Sequence, residues 1–515
     1  MKTEITIIIF TIFLKCIQCS KILAIFNTPS KSHSLLGFKL AEGLIRRGHH
    51  VTMLSTFKNK PMENYTHIHL ESLQNYREFQ KNATQSKDKN SIFRIYNYIL
   101  EMSEIFWNDD NIRKIIREKP KYDVIIMISF CNDGALGIGH HLEIPVVLLN
   151  PIGSTSLANS YLANPNMAYI PNPVITRSAD NFFGRLVAVT MNAVIAFLIR
   201  TLIDPYQQDI MRKYLPNSPP IWELQNNVSL MLVNSHFSVE PARPYVPNMI
   251  PIGGFHLDIV EEMSENMRIW LDNADNGAIL FCLGSTISIS SIEKEKLLAI
   301  IKVLGEMAPM KVIFKSEVDI ENIPSNILVE KWLPQAAILA HPNMKLLICH
   351  GGLNSNIESV FYGVPMLGIP FFGDQTLNIE EAQKAGYGVL LEKKYITEET
   401  FRMKIQEIVN NPQYTLNAKK KSALMREQPV KPMDNAIFWI EHIIEFGEGS
   451  HLKNNGIGLA WYELYMLDIY CFFLGFTLLF LISIYFMTKI FMRILKICMK
   501  RLYSRTTKLK IKKEN

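Results

Sequence analysis

Cysteine is scarce in this chain: 515 residues hold seven, and four of those lie near the two ends, at Cys16, Cys19, Cys471 and Cys498. Only Cys131, Cys282 and Cys349 remain for the central body. Three thiols make neither a disulfide framework nor a zinc site, and two of them sit inside apolar, strand-like runs where they read as core residues. No Gly-x-Gly-x-x-Gly follows the first strand-like run, which counts against a nicotinamide-dependent enzyme. No Asp-x-Asp occurs, which argues against a transferase built around a metal-held nucleotide. Short-period repeats are absent as well. Nor is charge of one sign in excess over the body. The formal net charge is +6, but from Lys489 to the end ten Lys/Arg face one acid, Glu514, a local +9 that leaves −3 on residues 1–488. A nucleic-acid partner is thereby excluded.

What is present is apolar. With 48% hydrophobic and 20% charged residues the chain is neither disordered nor fibrous, and its length calls for at least two domains. Both ends carry part of the excess. Lys2 precedes a greasy run from Ile5 to Leu14, followed by Cys19 and Ser20, the layout of a cleavable signal peptide over residues 1–20. Near the other end, Ile469 to Thr488 is a 20-residue stretch without a charge, bounded by Asp468 and Lys489. That is long enough to span a bilayer, so residues 464–488 are assigned as a transmembrane helix and 489–515 as a basic cytosolic tail. Together these features predict a single-pass type I protein whose body is lumenal. On this reading the C-terminal span is the only strong anchor. Lys512 and Lys513, fourth and third from the C-terminus, resemble the dilysine retrieval signal of the endoplasmic reticulum. Asn64-Tyr65-Thr66, Asn82-Ala83-Thr84 and Asn227-Val228-Ser229 are sequons consistent with a lumenal body.

The body reads as alternating strands and helices. Ile22 to Phe26 is a buried-strand pattern, Leu36, Leu40, Ala41, Leu44 and Ile45 recur at helical spacing, Gly48 stops that helix, and His50 to Leu54 is a second strand. Val124 to Ile128 and Val146 to Leu149 follow, separated by a helical piece on which His140 and His141 read as structural. A long helical segment fills 180–215. Pro241, Pro244, Pro247 and Pro251 with Gly253-Gly254 then break the pattern. After them the alternation restarts with strands at Ala278–Leu283, Lys311–Phe314, Met344–Cys349 and Pro365–Ile369. The fold class is α/β with mostly parallel, doubly wound sheets. The boundaries are an N-terminal domain over 21–248, a linker over 249–264, a C-terminal domain over 265–430, and a closing helix and stalk over 431–463.

The densest chemistry lies between Leu346 and Glu358, where an apolar strand ends in His350-Gly351-Gly352 and a helix begins at once. Glycines there let a ligand approach the backbone, and free N–H groups with the helix dipole favour a phosphate. A second strand delivers Asp374-Gln375, an acid–amide pair suited to sugar hydroxyls. Upstream, Trp332-Leu333-Pro334-Gln335 offers a flat ring and an amide suited to a nucleobase, and Gly284-Ser285 ends another strand where it can add a phosphate donor.

The run from Trp332 to Gly388 closely resembles the signature region of the UDP-glycosyltransferases, the lumenal detoxifying enzymes of animals. The likeness extends over nearly the whole chain, and Ile-Pro-Phe-Phe-Gly-Asp-Gln with Asn378 looks like the animal, and among them the insect, members. The resemblance implies a GT-B architecture: two Rossmann-like domains facing a cleft, with the donor in the C-terminal one and the acceptor in the N-terminal one, plus the C-terminal transmembrane helix. It implies that Trp332 stacks on uracil and Gln335 contacts it, that Glu358 takes the ribose hydroxyls, that Ser285, His350, Gly352, Asn354 and Ser355 hold the diphosphate, and that Asp374 and Gln375 grip the sugar. No cofactor is implied beyond the UDP-sugar co-substrate. The expected partners are that donor, a small lipophilic acceptor and the membrane; the oligomeric state is open. Cys349 stands where many members have threonine.

His33 is the general base the family leads one to expect. A histidine at a helix N-terminus also faces the positive dipole end, which keeps the imidazole neutral. Many members place an orienting acid where this chain has Ile128, and Asp133 is the nearest substitute. The implied reaction is inverting transfer of a hexose, glucose favoured over glucuronate, to small lipophilic acceptors. A non-catalytic or weakly active binding protein on the same scaffold is the alternative, given Ile128. No code for the acceptor is readable in residues 55–120 and 150–220.

Overall fold

The computed structural model describes residues 19–28, 30–76, 92–129, 132–171, 181–258, 261–285 and 287–514. The expected signal segment before Cys19, the Asn82 sequon and Cys131 lie outside them. The chain divides into two compact units, 1–455 and 456–515.

The first unit holds two sheets whose strands all run parallel. Sheet one contains β1 (Lys21–Phe26), β2 (His50–Ser55), β3 (Tyr65–His69), β4 (Val124–Ile128), β5 (Val146–Asn150), β6 (Leu230–Val233) and β7 (Met249–Pro251), in the order β3-β2-β1-β4-β5-β6-β7. Sheet two contains β8 (Ala278–Cys282), β9 (Lys311–Lys315), β10 (Ile327–Glu330), β11 (Met344–Cys349), β12 (Met366–Gly368) and β13 (Gly388–Leu390), in the order β10-β9-β8-β11-β12-β13. Successive side chains of β1 enter different cores, with Ile22, Ala24 and Phe26 on one face and Leu23 and Ile25 on the other. Burial on both faces is why these strands read as unbroken apolar runs rather than alternating ones. The free Cys282 and Cys349 are buried strand residues in register with one another. β7 joins the first sheet, so that sheet reaches Pro251, within the segment expected as a linker.

In each sheet the winding direction reverses once, between β1 and β4 and between β8 and β11. Such switch points open a crevice at the carboxyl ends of the strands, where ligands of open α/β sheets bind. Four helices matter for the site: α1 (Lys31–Arg46), α2 (Leu353–Tyr362), α3 (Gln375–Lys384) and α4 (Pro432–Phe446). α1 lies close on β1, because a side chain at Gly37 would meet the Phe26 ring at 2.4 Å. α4 leaves the second sheet's domain and returns to the first. Its Met433, Ala436, Ile437, Ile440 and Ile443 join the core formed by β1 and α1, and its Glu441 pairs with Arg47 at 3.1 Å.

The long segment near 180–215 is a helix from Phe182 to Leu198 that continues through one π turn (Ile199–Ile203) into a further helix, Asp204–Tyr214. Phe182, Phe183, Val187, Val189 and Phe197 along it are each more than half exposed. Its most apolar part, Leu186 to Ile199, is by itself too short to span a bilayer. As one 33-residue helix, Phe182–Tyr214 is long and apolar enough to cross a membrane. The second unit holds the other such helix among the described residues, inside a 48-residue helix from Leu467 to Glu514. Its uncharged stretch of 20 residues rises about 30 Å, the thickness of a bilayer's hydrocarbon.

Candidate active site

The loops after β8 and β11 meet around one imidazole. Gly284 (φ +79°) and Gly352 flank His350 so closely that a side chain at either would lie 2.6 or 2.5 Å from its ring. Gly351 turns the chain at φ +82°, and Gly352 caps α2. His350 therefore stands between two stretches of bare backbone at a helix N-terminus, the place where an anion is favoured. Burial first, and the Lys315 cation second, push its pKa down to about 4. Two polar atoms here, His350 Nδ1 and Ser285 Oγ, are buried without a hydrogen-bond partner. Buried groups left unpaired cost about 1–3 kcal/mol each, so two of them beside bare glycine backbone at a helix N-terminus are groups that ligand oxygens could satisfy.

Lys315 is a residue the sequence reading missed. It ends β9, is only 6% exposed, and its Nζ donates to the Gly284 carbonyl and lies 3.5 Å from Glu317. The signal was available, since a lysine closing the apolar run Lys311-Val312-Ile313-Phe314 has no place in a core unless it serves something at the strand's end.

Beside this anion pocket, Gln335 Nε2 donates to Ser355 Oγ at 3.0 Å and to Glu358 Oε2 at 2.7 Å. Trp332 is 41% exposed, and the Lys31 ammonium sits 3.4 Å above its ring centroid, a cation–π contact that brings the first turn of α1 onto the second domain. A second bridge runs from Asn234 Nδ2, after β6, to Asn354 Oδ1 at 2.7 Å. On the far side, Asn378 Nδ2 donates to Asp374 Oδ2 at 2.7 Å and to the Gly351 carbonyl at 2.9 Å, tying the acid to the glycine turn. Gln375 Oε1 accepts from the backbone N–H groups of Phe371 and Phe372, at 2.8 and 3.1 Å, which leaves its amino group for a ligand. Burial raises the Asp374 pKa; across the cleft the buried Glu240, 3.7 Å from Arg243, is raised by burial and further by the Asp374 charge. The structure thus gathers Ser285, Trp332, Gln335, His350, Gly352, Asn354, Ser355, Glu358, Asp374 and Gln375 beyond the carboxyl ends of β8, β10, β11 and β12.

His33 comes from the first domain, on the first turn of α1 behind the cap residue Ser30. Its Nδ1 lies 3.4 Å from Thr28 Oγ1, and burial lowers its pKa to about 4. Lys31, two residues earlier, touches Trp332, so this turn lies against the second domain. Asp133 is not brought to His33. Its Oδ2 accepts from Tyr161 Oη at 2.6 Å and from Gln225 Nε2 at 3.0 Å, and burial raises its pKa. Ile128 ends β4 inside the core. His141 Nε2 lies 2.9 Å from the Ile116 carbonyl, a structural contact.

A two-domain cleft with a glycine-framed anion pocket, a half-exposed indole and paired carboxylate–amide groups defines a GT-B glycosyltransferase, and structural comparison agrees. The spinosyn forosaminyltransferase SpnP matches 83% of this chain and 99% of its own with a TM-score of 0.57 at 15% identity, and LpCGTa, solved in complex with UDP, matches 83% and 99% with a TM-score of 0.53 at 15% identity. These show the fold. The profile of the UDP-glucoronosyl and UDP-glucosyl transferase family matches residues 27–505, and the chain belongs to that family. UDP-glucosyltransferase 2 of the insect Dactylopius coccus is 32% identical over 482 residues, covering 90% of this chain and 92% of the relative. Human UDP-glucuronosyltransferase 3A2 is 28% identical over 488 residues, covering 90% and 91%. The protein is a UDP-glycosyltransferase, and its donor is a UDP-sugar.

Proposed function

We propose that the enzyme transfers glucose from UDP-glucose to a small lipophilic hydroxyl acceptor with inversion at the anomeric carbon. The observation that carries the reading is the pair of buried unpartnered atoms, His350 Nδ1 and Ser285 Oγ, between two glycine turns at the start of α2. They suit the diphosphate, with Lys315 as the neighbouring cation and the α2 dipole behind them. Trp332 would stack on uracil, which requires Lys31 to yield the ring face it covers. Gln335 would meet the base edge, Glu358 the ribose hydroxyls, and Asp374 with the Gln375 amino group the sugar.

His33, neutral at physiological pH, would take the acceptor's hydroxyl proton as that oxygen forms its bond to the anomeric carbon. The bond from that carbon to the UDP oxygen breaks on the opposite face, and the electron pair leaves with UDP. Glucose is favoured over glucuronate because the insect relative named a glucosyltransferase is the more similar of the two described. No metal or resident cofactor enters this scheme. The C-terminal apolar helix and the basic tail behind it support a type I placement in the endoplasmic reticulum membrane, with the catalytic domains lumenal. Incubating membranes that contain the enzyme with phenolic acceptors and either UDP-glucose or UDP-glucuronate tests the proposal. Conjugation from UDP-glucose is expected, and UDP binding without any conjugate would favour the non-catalytic alternative.

A further inference from the structure

The crossing between the domains delivers one residue that the scheme above does not use. Gly253 and Gly254 turn the chain after β7. Gly253 donates its N–H to the Ser235 carbonyl at 3.0 Å, a side chain there would meet that same oxygen at 2.6 Å, and Gly254 adopts φ +90°. Phe255 then plugs fully into the core shared by β1, α1 and α4. The next side chain, His256, points the other way, into the second domain. It is 5% exposed, and its Nε2 stands 3.4 Å from Glu358 Oε1. Neither of its ring nitrogens has a hydrogen-bond partner, so the approach to Glu358 is close but out of line.

Glu358 is held on one side only. Gln335 fixes Oε2 at 2.7 Å, while Oε1 has His256 as its facing group. To accept from two neighbouring ribose hydroxyls at once, a carboxylate must be fixed in plane as well as in position, and one hydrogen bond leaves it free to rotate. A buried imidazole with both nitrogens unpaired is costly, and the cost falls if the carboxylate turns slightly on taking the ribose and brings Oε1 into line with Nε2–H.

We propose that His256 is a positioning residue for nucleotide recognition: anchored in the first domain through Phe255, it donates from Nε2 to Glu358 Oε1 in the occupied site and sets the carboxylate against the ribose 2′- and 3′-hydroxyls. The inference rests on the assignment of Glu358 to the ribose. It makes ribose recognition a property of both domains, since the acid belongs to one and the group that aims it to the other.

The test measures binding of UDP and of 2′-deoxy-UDP to the full-length protein in detergent by titration calorimetry. The parent should favour UDP. His256→Ala should weaken UDP about tenfold, the loss of one hydrogen bond to a charged group, and weaken 2′-deoxy-UDP much less, so that the preference shrinks. His256→Leu, which fills the buried volume without a donor, should do the same and serves where the alanine variant fails to fold. His256→Gln, which keeps an N–H donor, should recover most of the preference. An unchanged preference in the leucine variant, or an equal loss of both ligands, overturns the inference and leaves the functional reading intact. A parent that binds UDP without preferring it to 2′-deoxy-UDP overturns the Glu358 assignment and this inference with it. A parent that binds no UDP overturns the reading of the donor site itself.

Discussion

If His33 is the base, the acid limb of the pH–rate profile should lie far below the usual place for a histidine. Burial lowers its pKa from 6.5 to about 4. An imidazole of pKa 6.5 is about nine-tenths neutral at pH 7.5 and about one-tenth neutral at pH 5.5, so kcat/KM would fall about tenfold between them. With a pKa of about 4, more than nine-tenths of His33 is neutral at both pH values, and kcat/KM should change by less than about twofold. The assay is initial rates from pH 4 to 8 with a phenol that does not itself titrate below pH 8, at limiting acceptor and saturating donor. His33→Ala should lower kcat by about 10²- to 10⁴-fold, the usual worth of a positioned base, and abolish the limb. The same shift acts on stability. Because the folded pKa lies below the unfolded one, the unfolded chain binds the proton first as pH drops. Stability is therefore full above pH 6.5 and is lost as pH falls from there through about 4, by about 1.4 kcal/mol per pH unit for each such histidine. His350 and His236, also lowered to about 4, act in the same direction. A limb centred near 6.5 in an intact protein would refute the argument, and would mean that an acid unaccounted for orients and charges the imidazole.

Asp374→Ala should cripple turnover and leave UDP bound, whereas His350→Ala should weaken UDP about 10- to 100-fold by removing a group facing the diphosphate; equal effects on UDP would contradict that division. Asp133→Ala should destabilise the protein by about 1–3 kcal/mol in a thermal or urea melt, because Tyr161 and Gln225 lose their acceptor, yet leave kcat within a few-fold. A loss of kcat as large as that of His33→Ala, and not additive with it, would make Asp133 the orienting acid after all. Removal of residues 464–515 should leave the remainder in the membrane pellet after a high-salt wash, since Phe182–Tyr214 presents a largely unburied apolar surface; release into the supernatant would show the C-terminal span to be the sole anchor.

Much of the sheet framework was legible because strands buried on both faces spell continuous apolar runs. The β4 strand at Val124–Ile128 and the β11 strand at Met344–Cys349 fall where the pattern places them. β3, Tyr-Thr-His-Ile-His, was not legible: it is an edge strand, only partly buried, and alternates polar groups with little apolar signal. β7 and β13, of three residues each, are too short to show a period. The donor motif was readable because its residues are local, each at the end of a strand. Groups that act across the domains were not. The Lys31–Trp332 contact spans 301 positions, Asn234–Asn354 spans 120, and His256 meets Glu358 only through the turn of the crossing chain. The proposed pairing of Asp133 with His33 shows the converse: proximity along the loop after β4 gave no information about which way the carboxylate turns, and Tyr161 and Gln225, distant in sequence, claim it.

The central claim is that the cleft transfers a sugar from UDP, with His33 as base. The most direct measurement incubates the full-length enzyme in membranes with a panel of phenols and with UDP-glucose or UDP-glucuronate, and follows UDP release and the conjugate by mass spectrometry and NMR. The account predicts a glucoside of inverted anomeric configuration, formed faster from UDP-glucose than from UDP-glucuronate and reduced at least 100-fold in His33→Ala. Retention of configuration, a His33→Ala variant as fast as its parent, or tight UDP binding with no conjugate from any phenol would contradict it.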